Sequence, residues 1–384
     1  MQQLKIIDLF CGTGGFSHGL MSADPRFKTV FGLDVLPIAG ETFSRNHKDA
    51  ISIVSDIRKV RRSFVSEQIK ANQVDVIVGG PPCQGFSSLR PFRSSTEDDP
   101  RNSLFEEYAS FVNYFRPKAF VLENVVGLVT YKNGNTIDAM ENCFHELGYD
   151  TEWRILNAAH YGVPQKRERL IMIGVEKGGK IKFPEPTHYF SGDTIGVKDR
   201  QKLISTSQFD LFTNDKIILK PAVTVMNAIS DLTPICSGEI SHEYLTAPQN
   251  EFQKLMRFED LNEVSLHQAT AHSKKMLEII SHAGKNISCI PKHLISSGFS
   301  SCYSRLDADE PSVTITVNFV HPASNRCIHP YQNRALTPRE GARLQSFNDS
   351  YQFAGNRSQI TKQIGNAVPP LLGKAIGDAL KSIL

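Results

Sequence analysis

No CxxC pair occurs among the seven cysteines of the 384-residue chain, Cys11, Cys83, Cys143, Cys236, Cys289, Cys302 and Cys327, which are odd in number and widely scattered. That distribution argues against a zinc framework or a disulfide scaffold, and no metal is expected. Also lacking is any run near the ~20 apolar residues a membrane span requires, and the start MQQLKIIDLF has no basic stretch leading into a long apolar core. A soluble, reducing, cytoplasmic setting without membrane contact is the expectation. Charge of one sign is missing too: 43 Lys plus Arg face 40 Asp plus Glu, a formal balance of +3. A nucleic-acid partner would therefore have to meet a local basic surface rather than a strongly basic molecule. Internal repeats and low-complexity tracts are absent as well.

What is present has two characters. Between residues 4 and 175 short β-rich apolar runs, at 4–10, 30–34, 51–56, 74–78, 119–123 and 170–175, alternate with longer stretches of helical spacing. Those stretches include 101-RNSLFEEYASFVNYF-115 and 136-TIDAMENCFHELG-148, the latter with Gly148 as a stop. This rhythm predicts a doubly wound α/β domain over residues 1–183, a parallel sheet covered by helices. After Phe183 the chain turns polar and irregular, so a smaller second domain is expected over 184–330, with strand-like pieces such as 312–320. Residues 331–384 close the chain, and the segment following Pro369-Pro370 has an amphipathic helical pattern suited to docking back on the first domain. Within this part, Thr337 is placed to cap a helix beginning at Pro338.

The first strand runs into 11-CGTGGFSHG-19. Gly12, Gly14 and Gly15 let the backbone approach a ligand at the carboxyl end of that strand, although a tight turn with no ligand has the same composition. Asp34 ends the second strand about 20 residues further on, where a carboxylate can accept both ribose hydroxyls. Asp56 ends the third strand and could reach an adenine amino group or simply cap the following helix.

The fourth strand empties into 81-PPCQGFSS-88, where two prolines fix the backbone ahead of Cys83 in a polar loop suited to presenting a nucleophile. The fifth strand ends with Glu123 and Asn124. Glu123 is a candidate general acid, with a helix-capping carboxylate as the alternative. Arg167 and Arg169, on alternate positions and hence one face, suit a phosphate or a carbonyl oxygen, or else ordinary solvation.

Six segments in this order, DLFCGTGGFSHGL, GGPPCQGFSS, ENVVG, PQKRERLIMIG, RALTPREGARLQSF and QIGNAVPP, resemble the motif series of the DNA cytosine-5 methyltransferases over nearly the whole chain. The resemblance implies a Rossmann-like S-adenosylmethionine-dependent sheet with a smaller, irregular target recognition domain at 184–330. It also implies catalytic roles for Cys83, Glu123, Arg169 and Arg167, and a cofactor pocket of Phe10, Gly12, Gly14, Asp34, Val35, Asp56, Ile57, Pro81, Asn366 and Val368. Gln84, Ser87 and Arg93, on the loop after the nucleophile, become candidate contacts to double-stranded DNA. One departure is visible: the ribose-binding carboxylate, usually Glu in this family, is Asp34.

The implied chemistry is Cys83 addition at C6 of a flipped-out cytosine, followed by methyl transfer to C5. A prokaryotic or phage origin is expected, with a cognate restriction endonuclease as a separate partner and a monomer as the working unit. Three rivals carry less of the sequence. A tRNA cytosine-5 methyltransferase would differ after the nucleophile and lack the long insert. A silent DNA-binding regulator should have lost Cys83 or Glu123. A cysteine hydrolase on Cys83 and His160 would leave the glycine loop and Asp34 unexplained.

Overall fold

The computed structural model describes residues 2–82, 103–130, 134–190, 219–257, 261–295 and 298–384. The strands owe their positions to apolar side chains of period two, both sets of which are buried. Ile7, Ile77, Phe120, Leu122, Leu170 and Met172 point to one face, and Ile6, Val76, Val78, Val121, Ile171 and Ile173 to the other. A sheet covered on both faces needs such unbroken apolar runs, and each buried side chain contributes roughly 1.5–3 kcal/mol.

Seven strands form one sheet among the described residues: β1 (Leu4–Leu9), β2 (Phe27–Asp34), β3 (Ile51–Val54), β4 (Val76–Gly79), β5 (Ala119–Asn124), β6 (Tyr149–Asn157) and β7 (Glu168–Glu176). Their order is β3-β2-β1-β4-β5-β7-β6. The neighbours from β3 to β5 pair in parallel. β7 is antiparallel to both β5 and β6, so the sheet is mixed where a parallel one was expected. Strand β6 has no apolar run in the sequence because Asp150, Glu152 and Arg154 interrupt its apolar residues, as suits a half-exposed strand at the end of the order.

The helices α1 (Gly15–Ala23), α2 (Pro37–Asn46), α3 (Arg62–Ile69), α4 (Ser103–Phe115) and α5 (Asn135–Glu146) belong to this sheet. The face carrying Ile7 is covered by Val65 of α3, by Tyr108, Phe111 and Phe115 of α4, and by Met140 and Phe144 of α5.

Beyond the sheet come α6 (Val225–Ile229), α7 (Glu251–Met256), α8 (Lys274–Ser281), α9 (Pro338–Leu344), α10 (Arg357–Asn366) and α11 (Pro370–Leu380). The docking expected of the last helix is observed: Leu372, Ile376 and Leu380 pack with Phe16 and Leu20 of α1 under the opposite sheet face. A separate cluster joins Val225, Phe252, Leu306 and Phe319 to Leu336, Phe347, Phe353 and Ile364, so the expected limit at residue 330 falls inside one buried core. Residues 312–320 form no strand; Ser312 makes a single bridge to Gln165. No helix among the described residues is long and apolar enough to cross a membrane.

Helix α9 opens with the anticipated Thr337 cap, reciprocated by Glu340 in a capping box. Arg334, Arg339 and Arg343 are all fully buried around it. Arg334 grips both oxygens of Glu340 at 2.8 and 2.7 Å. Arg343 donates to Asp349 at 3.0 and 2.6 Å and also pairs with Asp231, binding α9 to the segment after α6. The arginines of this motif are thus internal fasteners.

Candidate active site

Strand order reverses between β1 and β4, where the chain goes outward through β2 and β3 and then returns to the other side of β1. Crevices at the carboxyl ends of such strands are the usual ligand sites of open α/β sheets. A cleft of about 1010 Å³ lies there. Its walls come from the ends of β1 (Asp8, Phe10, Gly12, Thr13), β2 (Asp34, Val35, Leu36), β3 (Ser55, Asp56, Ile57), β4 (Gly79, Gly80, Pro82) and β5 (Glu123), with α10 and the turn after it adding Gln363, Asn366 and Val368.

The first loop is under conformational constraint. Phe10 has φ of 58°, a left-handed value uncommon outside glycine, and Gly14 follows at 83°. Asp34 ties the loop to β2: one carboxylate oxygen accepts from the Gly12 N–H at 2.8 Å and the other from the Leu36 N–H at 2.9 Å. Burial raises the Asp34 pKa, against the pull of these backbone donors. Asp8, beneath the loop, is pushed up to about 7 by burial, only partly offset by hydrogen bonding from Ser17. Its Oδ2 is buried without a hydrogen-bond partner among the described residues. Asp56 takes the capping geometry that was its alternative reading, accepting from the Arg58 N–H at 3.0 Å. The Arg58 guanidinium also bonds its carboxylate and holds it down at about 2.

Phe10, Gly12, Asp34, Val35, Asp56, Ile57, Asn366, Val368 and Glu123 are thus brought to one cleft. Gly14 and Pro81 are not among its described lining residues. Gly14 faces His47, and Pro82 rather than Pro81 meets the cleft. Pro81 is buried, its carbonyl held at 2.9 Å by the Asn124 amide. Cys83, Gln84, Ser87 and Arg93 lie outside the described residues. Asp8, Thr13 and Gln363 were missed; Asp8 stands inside the DLFCGTGG segment, but a strand-internal acid next to Leu9 carries no spacing signal of its own.

Glu123 and Arg169 form an ion pair of 2.8 Å between Nε and Oε1. Gly80 allows that approach, since a Cβ there would lie 2.9 Å from Glu123 Oε2. Arg167 departs from the expectation of two arginines serving one site. It is 2% exposed, and its Nη1 donates to the carbonyls of Gly365 at 3.1 Å and Ile315 at 3.4 Å, which fastens the start of β7 to the C-terminal segments. Burial pushes its pKa well down.

The family model described as C-5 cytosine-specific DNA methylase matches residues 4–382. The chain belongs to that family. Among its relatives, this methylase is 33% identical to the type II methyltransferase M.AgeI of Thalassovita gelatinovora, with 98% of this chain and 99% of that protein covered. It is 35% identical to M1.HphI of Haemophilus parahaemolyticus, over 98% of this chain and 86% of that protein. Among solved structures, an E. coli prophage-encoded chain assigned as a DNA modification methyltransferase superposes with a TM-score of 0.74 at 25% identity, 99% of each chain being covered. The DNMT2 of Spodoptera frugiperda shares the fold, with a TM-score of 0.61 at 15% identity and 99% of each chain covered.

Proposed function

We propose that this methylase transfers a methyl group from S-adenosylmethionine to C5 of a flipped-out cytosine in a short, specific sequence of duplex DNA. In this reading Cys83 is the covalent nucleophile and the chain is the modification member of a restriction-modification system. The observation carrying the reading is that Glu123, paired with Arg169, lines the same cleft as Pro82, the residue immediately before Cys83.

The lining suits the cofactor. Asp34 spends one acceptor position per oxygen on backbone N–H groups, which leaves lone pairs for ribose hydroxyls. The unpartnered Oδ2 of Asp8 suits a cationic amino-acid end, and Phe10, Val35 and Ile57 offer apolar surface to a base. When bound, S-adenosylmethionine supplies a methyl group on cationic sulfur.

Cytosine C5 is a weak nucleophile until C6 is attacked. Cys83 thiolate adds at C6, while Glu123 protonates or hydrogen-bonds N3 and so draws the electron pair into an enamine that makes C5 reactive. Arg169 orients the Glu123 carboxyl and reaches the cytosine O2. Once C5 carries the methyl group, loss of the C5 proton and expulsion of Cys83 restore the ring. A stacked base exposes neither face to a thiol, so the cytosine must leave the duplex at a cost of a few kcal/mol. Gln84, Ser87 and Arg93, which follow Cys83 in sequence, would contact DNA, and residues 184–330 would read base edges.

Incubation of the wild type and Cys83→Ala with labelled S-adenosylmethionine and duplex DNA, followed by bisulfite sequencing, tests this. Label in 5-methylcytosine at one short sequence, lost in the variant, is expected. Transfer to tRNA alone, or tight DNA binding without transfer, contradicts it.

A further inference from the structure

Two side chains that do not line the cleft close on consecutive carbonyls of the loop that does. The Tyr351 hydroxyl donates to the Thr13 carbonyl, and His47 Nε2 lies 3.1 Å from the Gly14 carbonyl. A carbonyl only accepts, so His47 carries its proton on Nε2. With Asp34 accepting from the Gly12 N–H, three consecutive residues are gripped from three chain segments: the end of β2, the end of α2, and the stretch between α9 and α10.

Both donors are themselves fixed. His47 is the residue after α2, its N–H returned to the Phe43 carbonyl and its ring stacked on Phe43 at 4.4 Å and 18°. A Cβ on Gly14 would lie 2.4 Å from His47 Nε2, so ring and loop are in full contact. Tyr351 is 2% exposed and packs against Phe347, Phe353 and the edge of His18. Burial pushes the Tyr351 phenol well up and, with His18 nearby, the His47 ring down to about 3. Both therefore stay neutral donors around neutral pH.

Gly12 and Gly14 both have positive φ, and a free loop of this composition would sample many other conformations. Ordering such a loop on ligand binding subtracts from affinity, and ordering it beforehand restores that affinity. We propose that Tyr351 and His47 are positioning residues that preorganise the Gly12–Gly14 backbone for the cofactor, an inference that rests on the reading of this cleft as the cofactor site. Neither touches the reacting atoms. Their loss should weaken cofactor binding while leaving the chemical step of the saturated enzyme in place.

The test is calorimetric binding of S-adenosylhomocysteine, together with steady-state methylation of duplex DNA, for the wild type, Tyr351→Phe, His47→Leu and His47→Gln. Tyr351→Phe and His47→Leu are expected to raise Kd and the cofactor KM roughly five- to tenfold, the scale of one lost buried hydrogen bond. The kcat at saturating cofactor should stay within about twofold of wild type on the same principle. The His47→Gln amide retains a donor for Gly14 and should recover most of the affinity lost in His47→Leu. Should His47→Leu not fold, Tyr351→Phe decides, since it removes a single oxygen. A fall in kcat with unchanged KM and Kd, or folded variants that bind as wild type does, overturns the proposal while the wild-type isotherm keeps the cofactor reading intact. A wild type that binds no S-adenosylhomocysteine overturns both.

Discussion

Glu123 and Arg169 meet across two adjacent antiparallel strands, Nε to Oε1 at 2.8 Å, with side chains only 14% and 13% exposed. In the β5–β7 register Asn124 stands opposite Leu170 and Glu123 opposite Ile171, so Arg169 reaches back along the pair to its carboxylate. The insertion of an antiparallel strand beside β5 therefore delivers a guanidinium to a carboxyl at the mouth of the cleft.

If that carboxyl acts on the cytosine, Glu123→Gln should lower single-turnover methyl transfer by about 10²–10⁴, the usual weight of a general acid. Arg169→Lys keeps the charge and loses the planar donor fork, so a smaller fall is expected. Rapid-quench assays on folded variants check both. A Glu123→Gln enzyme as fast as wild type would remove Glu123 from the chemistry.

Asp8 gives a pH prediction. Its folded pKa of about 7 stands above its ordinary 3.8, so the folded state holds the proton more tightly. The associated stability is fully present below pH ~4 and is lost as pH rises through ~7. Asp8→Asn removes that loss, so its melting temperature should gain on wild type as pH rises from 4 to 7. Parallel melting curves against pH, recorded without ligand, would contradict the assignment.

Arg334 and Glu340 are fully buried and paired through two hydrogen bonds. Removing one partner of such a pair costs about 3–5 kcal/mol, whereas replacing both with apolar residues costs far less. Arg334→Met should thus be strongly destabilised in chemical denaturation. Arg334→Met/Glu340→Met should recover part of the deficit, less the capping contact of Glu340 with Thr337. A double variant no more stable than the single one would show that the pair is not the source of the loss.

The sheet strands that build the cleft were legible because residues such as Ile6, Ile7, Val76 and Ile77 must be apolar on both faces, and their ends carry the glycine loop, Asp34 and Glu123 as visible punctuation. Strand β6 was not, since a half-exposed end strand tolerates Asp150, Glu152 and Arg154. Alternate spacing predicts one shared face for Arg167 and Arg169, but Arg167 precedes β7 and is claimed by carbonyls of residues 315 and 365, contacts about 150 and 200 residues away in sequence that spacing cannot foresee. Tyr351 and His47 were invisible for the same reason. A tyrosine in an ordinary turn segment carries no sign that its hydroxyl will meet Thr13, 338 positions distant.

In the proposed mechanism Cys83 bonds to cytosine C6 during turnover. Duplex DNA containing the target sequence with 5-fluorocytosine tests it most directly, because fluorine at C5 cannot leave as a proton does and the final elimination is blocked. With S-adenosylmethionine present, a denaturation-resistant protein–DNA complex should form whose cross-linked peptide contains Cys83, and none should form with Cys83→Ala. Normal methylation of unmodified DNA with no trapped complex, or a complex through another residue, would contradict it.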